Sequence, residues 1–236
     1  MQVIADIRLF KSKVPNTDGN SLPSDFSDKK LNAVIHRITM KLREHNFSLG
    51  DKIDHLYVNF TNCAVEGKIA PSRRSPDKYH HRYRYYDVEV SDATFEQLGT
   101  SSSTETILSL LEQVLLKYFV SERFDKEFIR SCVSEAVTQG EKMLMKFKEK
   151  SSSTGNAVIY LRYLDNCLYS PLLRVFDCGN NAILEADLPE TIDLNYIGTI
   201  QLSAKKVTIK PRKNAYTKAL EPLSFDLSTK KPPVQR

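Results

Sequence analysis

Apolar periodicity from Thr104 to Lys150 places the strongest constraint on how this chain can fold. As one straight helix these ~46 residues would extend about 70 Å at 1.5 Å per residue. A compact domain of this length has a radius of gyration of roughly 18 Å. The segment must therefore bend, and the pattern predicts a helix pair. Ser102 and Glu105 read as an S-x-x-E capping box for the first helix. Ile107, Leu108, Leu110, Leu111, Val114, Leu115, Tyr118 and Phe119 follow at three- and four-residue spacing. The break is expected over Ser121–Asp125, with Asp125 as N-cap of the second helix. That helix is expected to carry Phe128, Ile129, Cys132, Val133, Ala136, Val137, Met143, Leu144 and Phe147. Lys146, Lys148 and Lys150 would close it, where the helix dipole favours cations. Such a stripe serves a core or a partner groove, and apolar stripes ordinarily face inward.

Ahead of the pair, Gln2–Lys11 alternates as an opening strand, and Val14–Asp25 reads as a loop rich in Pro, Gly and Asn. Ser27 can cap a helix reaching about Asn46, with Leu31, Val34, Ile35, Ile38 and Leu42 inward and Lys30, Arg37, Lys41 and Glu44 in water. Ile53–Asn62 and Lys78–Val90 read as strands. Joined by a loop without a predicted helix, they are expected to pair antiparallel. Ser151–Asn156 reads as a linker or flexible loop. Beyond it come short strands over Val158–Leu164, Leu172–Cys178, Ala182–Leu188, Ile192–Leu202 and Val207–Lys210, with turns at Gly179–Asn181 and Ala204–Lys206. The expected fold is α+β: a mainly antiparallel sheet packed against an amphipathic helix and a central helix pair, with a β-rich C-terminal part. Residues 1–150 form the first domain in this reading. Residues 157–227 form a β-rich subdomain, separate or continuous with it, and 228–236 a flexible tail.

Composition narrows the function. The 236 residues are 41% apolar and 27% charged, an ordinary globular balance. No apolar run approaches 18 residues, so no membrane span is expected. Asp6 and Arg8 interrupt the N-terminal apolar stretch, which argues against a secretory signal and for the cytoplasm. Cys63, Cys132, Cys167 and Cys178 form no C-x-x-C pair and read as reduced, mostly buried thiols. Phosphate-cradling glycine loops, G-x-S-x-G and H-E-x-x-H are absent. No cofactor is expected. His80 and His81 point to opposite faces of a strand, which makes joint metal ligation difficult. Asp87 and Glu89 share one strand face and offer the best Mg²⁺ site, hence a metal-dependent hydrolase as one alternative.

Charge is segregated. Lys68–Arg84 carries six cations and one acid, and Lys205–Lys218 six cations and no acid. Asp177–Asp193 carries five acids and no Lys or Arg. These blocks either pair with one another across neighbouring strands or steer a charged partner. The partner-binding residues expected on the second view are Arg73, Arg74, Lys78, His80, Arg82 and Arg84, and then Lys205, Lys206, Lys210, Arg212 and Lys213. Interleaving of cations with tyrosines over Arg73–Tyr86 also suits RNA or DNA, where rings stack on bases.

Asp54-His55-Leu56-Tyr57-Val58-Asn59-Phe60-Thr61-Asn62 follows the capped amphipathic helix. With Tyr86-Asp87-Val88 and Tyr196-Ile197-Gly198-Thr199, it resembles the cytosolic immunity proteins of bacterial polymorphic-toxin systems. The likeness covers short stretches of the first 90 residues and the C-terminal strands. It implies a non-enzymatic protein that neutralises a cognate toxin by binding it. Many such proteins that block nucleases are acidic. This chain is basic, so its toxin would present an acidic surface.

Overall fold

A computed structural model describes residues 2–13, 24–62, 67–72 and 81–227. The fold is α+β, and the chain divides into two compact units, Met1–Gly140 and Glu141–Arg236.

The first unit is built on a sheet in the order β2-β1-β3-β5-β4. Its strands are β1 (Asp6–Lys11), β2 (Ser24–Asp25), β3 (His55–Thr61), β4 (Ile69–Pro71) and β5 (Tyr83–Glu89). β1, β3 and β5 run parallel, in the register Leu9↔Val58↔Tyr86. The antiparallel pairing expected of β3 and β5 is thus corrected. About twenty residues join them, which exceeds the dozen a parallel crossover needs. Within that connection β4 pairs antiparallel with the outer edge of β5.

α1 (Lys29–Glu44) connects β1 to β3. Asp28, rather than Ser27, caps it, its carboxylate accepting from the Lys30 and Leu31 amides. Arg37 is only 2% exposed, so the expectation that it faces water was wrong. The reason is α4 (Lys126–Gln139), which packs along α1. Lys41 is held in that seam between Glu44 at 2.9 Å and Glu135 at 3.0 Å. α2 (Asp92–Gln97) is short and leads into α3 (Thr104–Tyr118). The helix pair breaks where expected, with Asp125 accepting from the Phe128 amide at 2.7 Å. The Ser102–Glu105 capping box does not form. Ser103 occupies the N-cap without a side-chain cap bond, its hydroxyl donating to the Thr100 carbonyl at 2.8 Å. α3 meets the sheet through Tyr86, whose ring lies 4.5 Å from that of Tyr118. At the foot of the helices, Phe47 packs on Phe124 at 5.0 Å.

α4 stops at Gly140, whose φ of 52° is disfavoured for other residues. Met143–Lys150 is therefore not helical, contrary to the sequence reading. Met145–Ser152 forms β6 and opens the second unit. It pairs in an antiparallel meander with β7 (Gly155–Tyr163), β8 (Tyr169–Phe176) and β9 (Ala182–Asp187). The expected linker at Ser151–Asn156 is the β6–β7 hairpin turn. Its Gly155 has φ 141°, and a β-carbon there would collide with the Phe176 carbonyl oxygen. A second sheet, β10 (Thr199–Leu202), β11 (Lys206–Lys210) and β12 (Leu223–Asp226), packs through β10 on β6 and β7. The β8–β9 and β10–β11 turns fall where the sequence places them. β12 was not anticipated.

Of the described cysteines, Cys132 is buried but Cys167 is half-buried and Cys178 exposed, so the expectation of mostly buried thiols fails for two of them. Among the described residues no helix is long and apolar enough to cross a membrane.

Candidate functional site

The predicted contact residues fall into the two units. Arg73, Arg74, Lys78 and His80 lie outside the described residues. Arg82 and Arg84 belong to the first unit, and the Lys205–Lys213 group to the second.

In the first unit Asp54 organises the start of the parallel strands. Its side chain is 3% exposed and pairs with the Arg82 guanidinium. His55 donates to the same carboxylate from Nδ1 at 2.6 Å. Burial lowers the His55 pKa, against the pull of Asp6. Arg82 is thus committed to neutralising a buried charge, whereas Arg84 is exposed. Beside them His55, Tyr57, Tyr83, Tyr85 and Phe10 share one sheet face. The Tyr57 ring lies 4.7 Å from Tyr83, 5.1 Å from Tyr85 and 5.2 Å from Phe10. Burial and a hydrogen bond with Tyr83 push the Tyr57 phenol pKa up. Phe10, Tyr57 and Tyr85 form a buried core, and Tyr86 is buried on the opposite face. None of these four rings offers a flat surface to a base.

Asp87 and Glu89 are separately engaged. Asp87 is buried and accepts from Asn59 Nδ2 at 2.8 Å, while Glu89 pairs with Lys68 at 3.2 Å. Among the described residues, no three His, Cys, Asp or Glu side chains converge as a metal ligand set would.

The second unit gathers the basic residues. Lys205 occupies the β10–β11 turn and Lys206 opens β11, opposite Asp226 across the ladder. Lys210 lies at the other end of β11, about 13 Å away at ~3.3 Å per residue. There the chain folds into a cleft of about 520 Å³. Lys210, Arg212, Lys213 and Lys218 line it together with Pro211, Leu220 and Pro222, and no acid is among its lining residues.

Local chemistry explains the shape. Pro211 ends β11, since it has no amide to donate to the ladder. The Arg212 amide donates to the Asn195 carbonyl at 2.8 Å, and the Gly198 amide to that of Lys210 at 2.7 Å. The Thr217 hydroxyl donates back to the Arg212 carbonyl and closes the loop. Lys148, from β6, donates to the Gly198 carbonyl. Burial, and then repulsion by Arg212, lower its pKa.

The acidic block does not neutralise this surface. Glu185 pairs with Arg174 at 2.7 Å and Asp187 with Arg162 at 2.5 Å. Asp177 caps its own turn, and Asp193 caps a short helical turn at Leu194–Tyr196. Among the described residues, Glu185 and Asp187 thus pair with arginines that belong to neither basic block. Sequence reasoning marked Lys210, Arg212 and Lys213 as contacts and counted Lys218 in the same basic block, but missed Lys148 and the apolar lining. Pro211 and Pro222, which bracket the lining segment, were the available signal.

No protein-family model matches the chain, and comparisons with curated proteins and with solved structures return no match.

Proposed function

We propose that this chain is a non-enzymatic binding protein of the immunity type, which neutralises a bacterial toxin by direct, occluding contact. One observation carries the reading: the second unit presents Lys210, Arg212, Lys213 and Lys218 around a single cleft, while the unit's acids Glu185 and Asp187 are consumed by other arginines. An uncompensated surface of one sign speeds encounter with a partner of the opposite sign and rejects like-charged competitors. The toxin would offer an acidic face. Co-expression with the product of the adjacent gene tests this: the chain should restore growth to cells that the product arrests. Continued arrest, with both proteins soluble and expressed, would sink the reading.

Nucleic-acid binding is the second reading, and the same cationic lining favours it. Against it stands the burial of Tyr57, Tyr85 and Tyr86, the rings best placed to stack on bases. Titration with generic RNA at rising salt separates the two, because phosphate contacts make affinity fall steeply.

A further inference from the structure

The cleft at the end of β11 joins two chemistries that a simple charged patch does not. Its cations come from Lys210, Arg212, Lys213 and Lys218, while Pro211, Leu220 and Pro222 supply an apolar surface. Leu220 is 44% exposed there, although a leucine of that size gains by burial. The volume of about 520 Å³ is within the range of specific ligand sites and holds several side chains.

Resting on the binding-protein reading above, we infer that this cleft receives an acidic peptide segment of the protein partner. Between its carboxylates the segment carries one aliphatic or aromatic side chain, seated on Leu220 and Pro222. Charge complementarity selects the carboxylates: no acid lines the cleft, and none of its four cations forms an ion pair among the described residues. The apolar lining selects the central side chain. A central apolar side chain on a peptide matches this lining, whereas a nucleic-acid strand presents its charge without one. The loop is held before the ligand arrives by the Arg212–Asn195 and Gly198–Lys210 backbone bonds, so little ordering cost opposes binding.

Fluorescence anisotropy with three labelled probes tests this on the full chain. The first is a short Glu-rich peptide with a central Phe, the second the same peptide with Ser for Phe, and the third an oligothymidylate of equal charge. The Phe peptide should bind about tenfold or more tighter than the Ser peptide, the gain that burying one large apolar side chain provides. It should also bind more tightly than the oligonucleotide. Leu220→Ser, at an exposed position, should abolish the difference between the peptides. Lys213→Glu with Lys218→Glu should weaken both peptides. Equal affinity for the two peptides, or tightest binding of the oligonucleotide, would overturn the inference. Growth rescue alongside equal peptide affinities would remove this inference and leave the immunity reading. The expected peptide pattern without growth rescue would do the reverse.

Discussion

The backbone of Gly198 runs so close to that of Arg212 that a β-carbon on the glycine would collide with the Arg212 amide nitrogen and stand 2.5 Å from the Pro211 carbonyl oxygen. Backbone cannot swing aside as a flexible side chain can. Gly198→Ala should therefore displace the loop that carries Arg212 and Lys213, at a cost of about 1–3 kcal/mol. Urea unfolding reads the stability loss, and anisotropy with the Phe peptide reads the loss of binding. A fully stable variant with unaltered binding would show that the loop does not depend on this approach.

Arg82 and Asp54 supply a second test. Asp54 is buried but Arg82 is about half exposed, so solvent screens part of their attraction. Arg82→Ala should cost about 1–2 kcal/mol, because the Asp54 charge loses its guanidinium partner. The same change in an Asp54→Asn background should cost close to nothing, and a double-mutant cycle by urea denaturation measures that coupling.

Acid should weaken the fold through His36. Burial, the largest influence, lowers its pKa from 6.5 to about 4, with Arg43 and Arg37 adding to the effect and Asp6 opposing it. The unfolded chain then takes up the proton first as pH falls. The contribution is complete above pH 6.5, declines as pH drops towards about 4, and is gone below that. It amounts to about 3 kcal/mol. Denaturant midpoints over this range should fall more steeply for the native chain than for His36→Gln. Parallel profiles would remove His36 from the explanation.

Thiol labelling checks the packing of the helices. Cys132 is buried in α4, and burial pushes its pKa up to about 11, while Cys178 is exposed. Since the thiolate is the reactive form, iodoacetamide followed by peptide mass spectrometry should modify Cys178 first and Cys132 only on unfolding. Early labelling of Cys132 would mean that the α1–α4 seam opens readily.

Much of the fold was legible because it is local. The Asp125 cap, the β8–β9 turn at Gly179–Asn181 and the alternation in β3 each depend on neighbouring residues. What escaped was set at a distance. Nothing near Tyr83 or His55 indicates whether their strands run parallel, since strand order decides it. Met143, Met145 and Phe147 alternate as a strand, while Met143, Leu144 and Phe147 equally satisfy helical spacing; Gly140 at positive φ resolves the ambiguity. Arg37 looked solvated until α4 came to lie over it. At the site, Lys210, Arg212 and Lys213 are consecutive enough to notice. Lys148 from β6 and Gly198 from just ahead of β10 reach the same loop from elsewhere in the chain, which no local pattern announces.

The central claim, that the basic cleft of the second unit meets an acidic protein face, is tested most directly by calorimetric titration with the product of the adjacent gene. Native chain and a variant combining Lys210→Glu, Arg212→Glu and Lys213→Glu would be compared at two salt concentrations. Affinity for the variant should drop by roughly 100-fold or more, and the salt dependence of binding should shrink with it. A folded variant that binds as tightly as the native chain, with the same response to salt, would contradict the account.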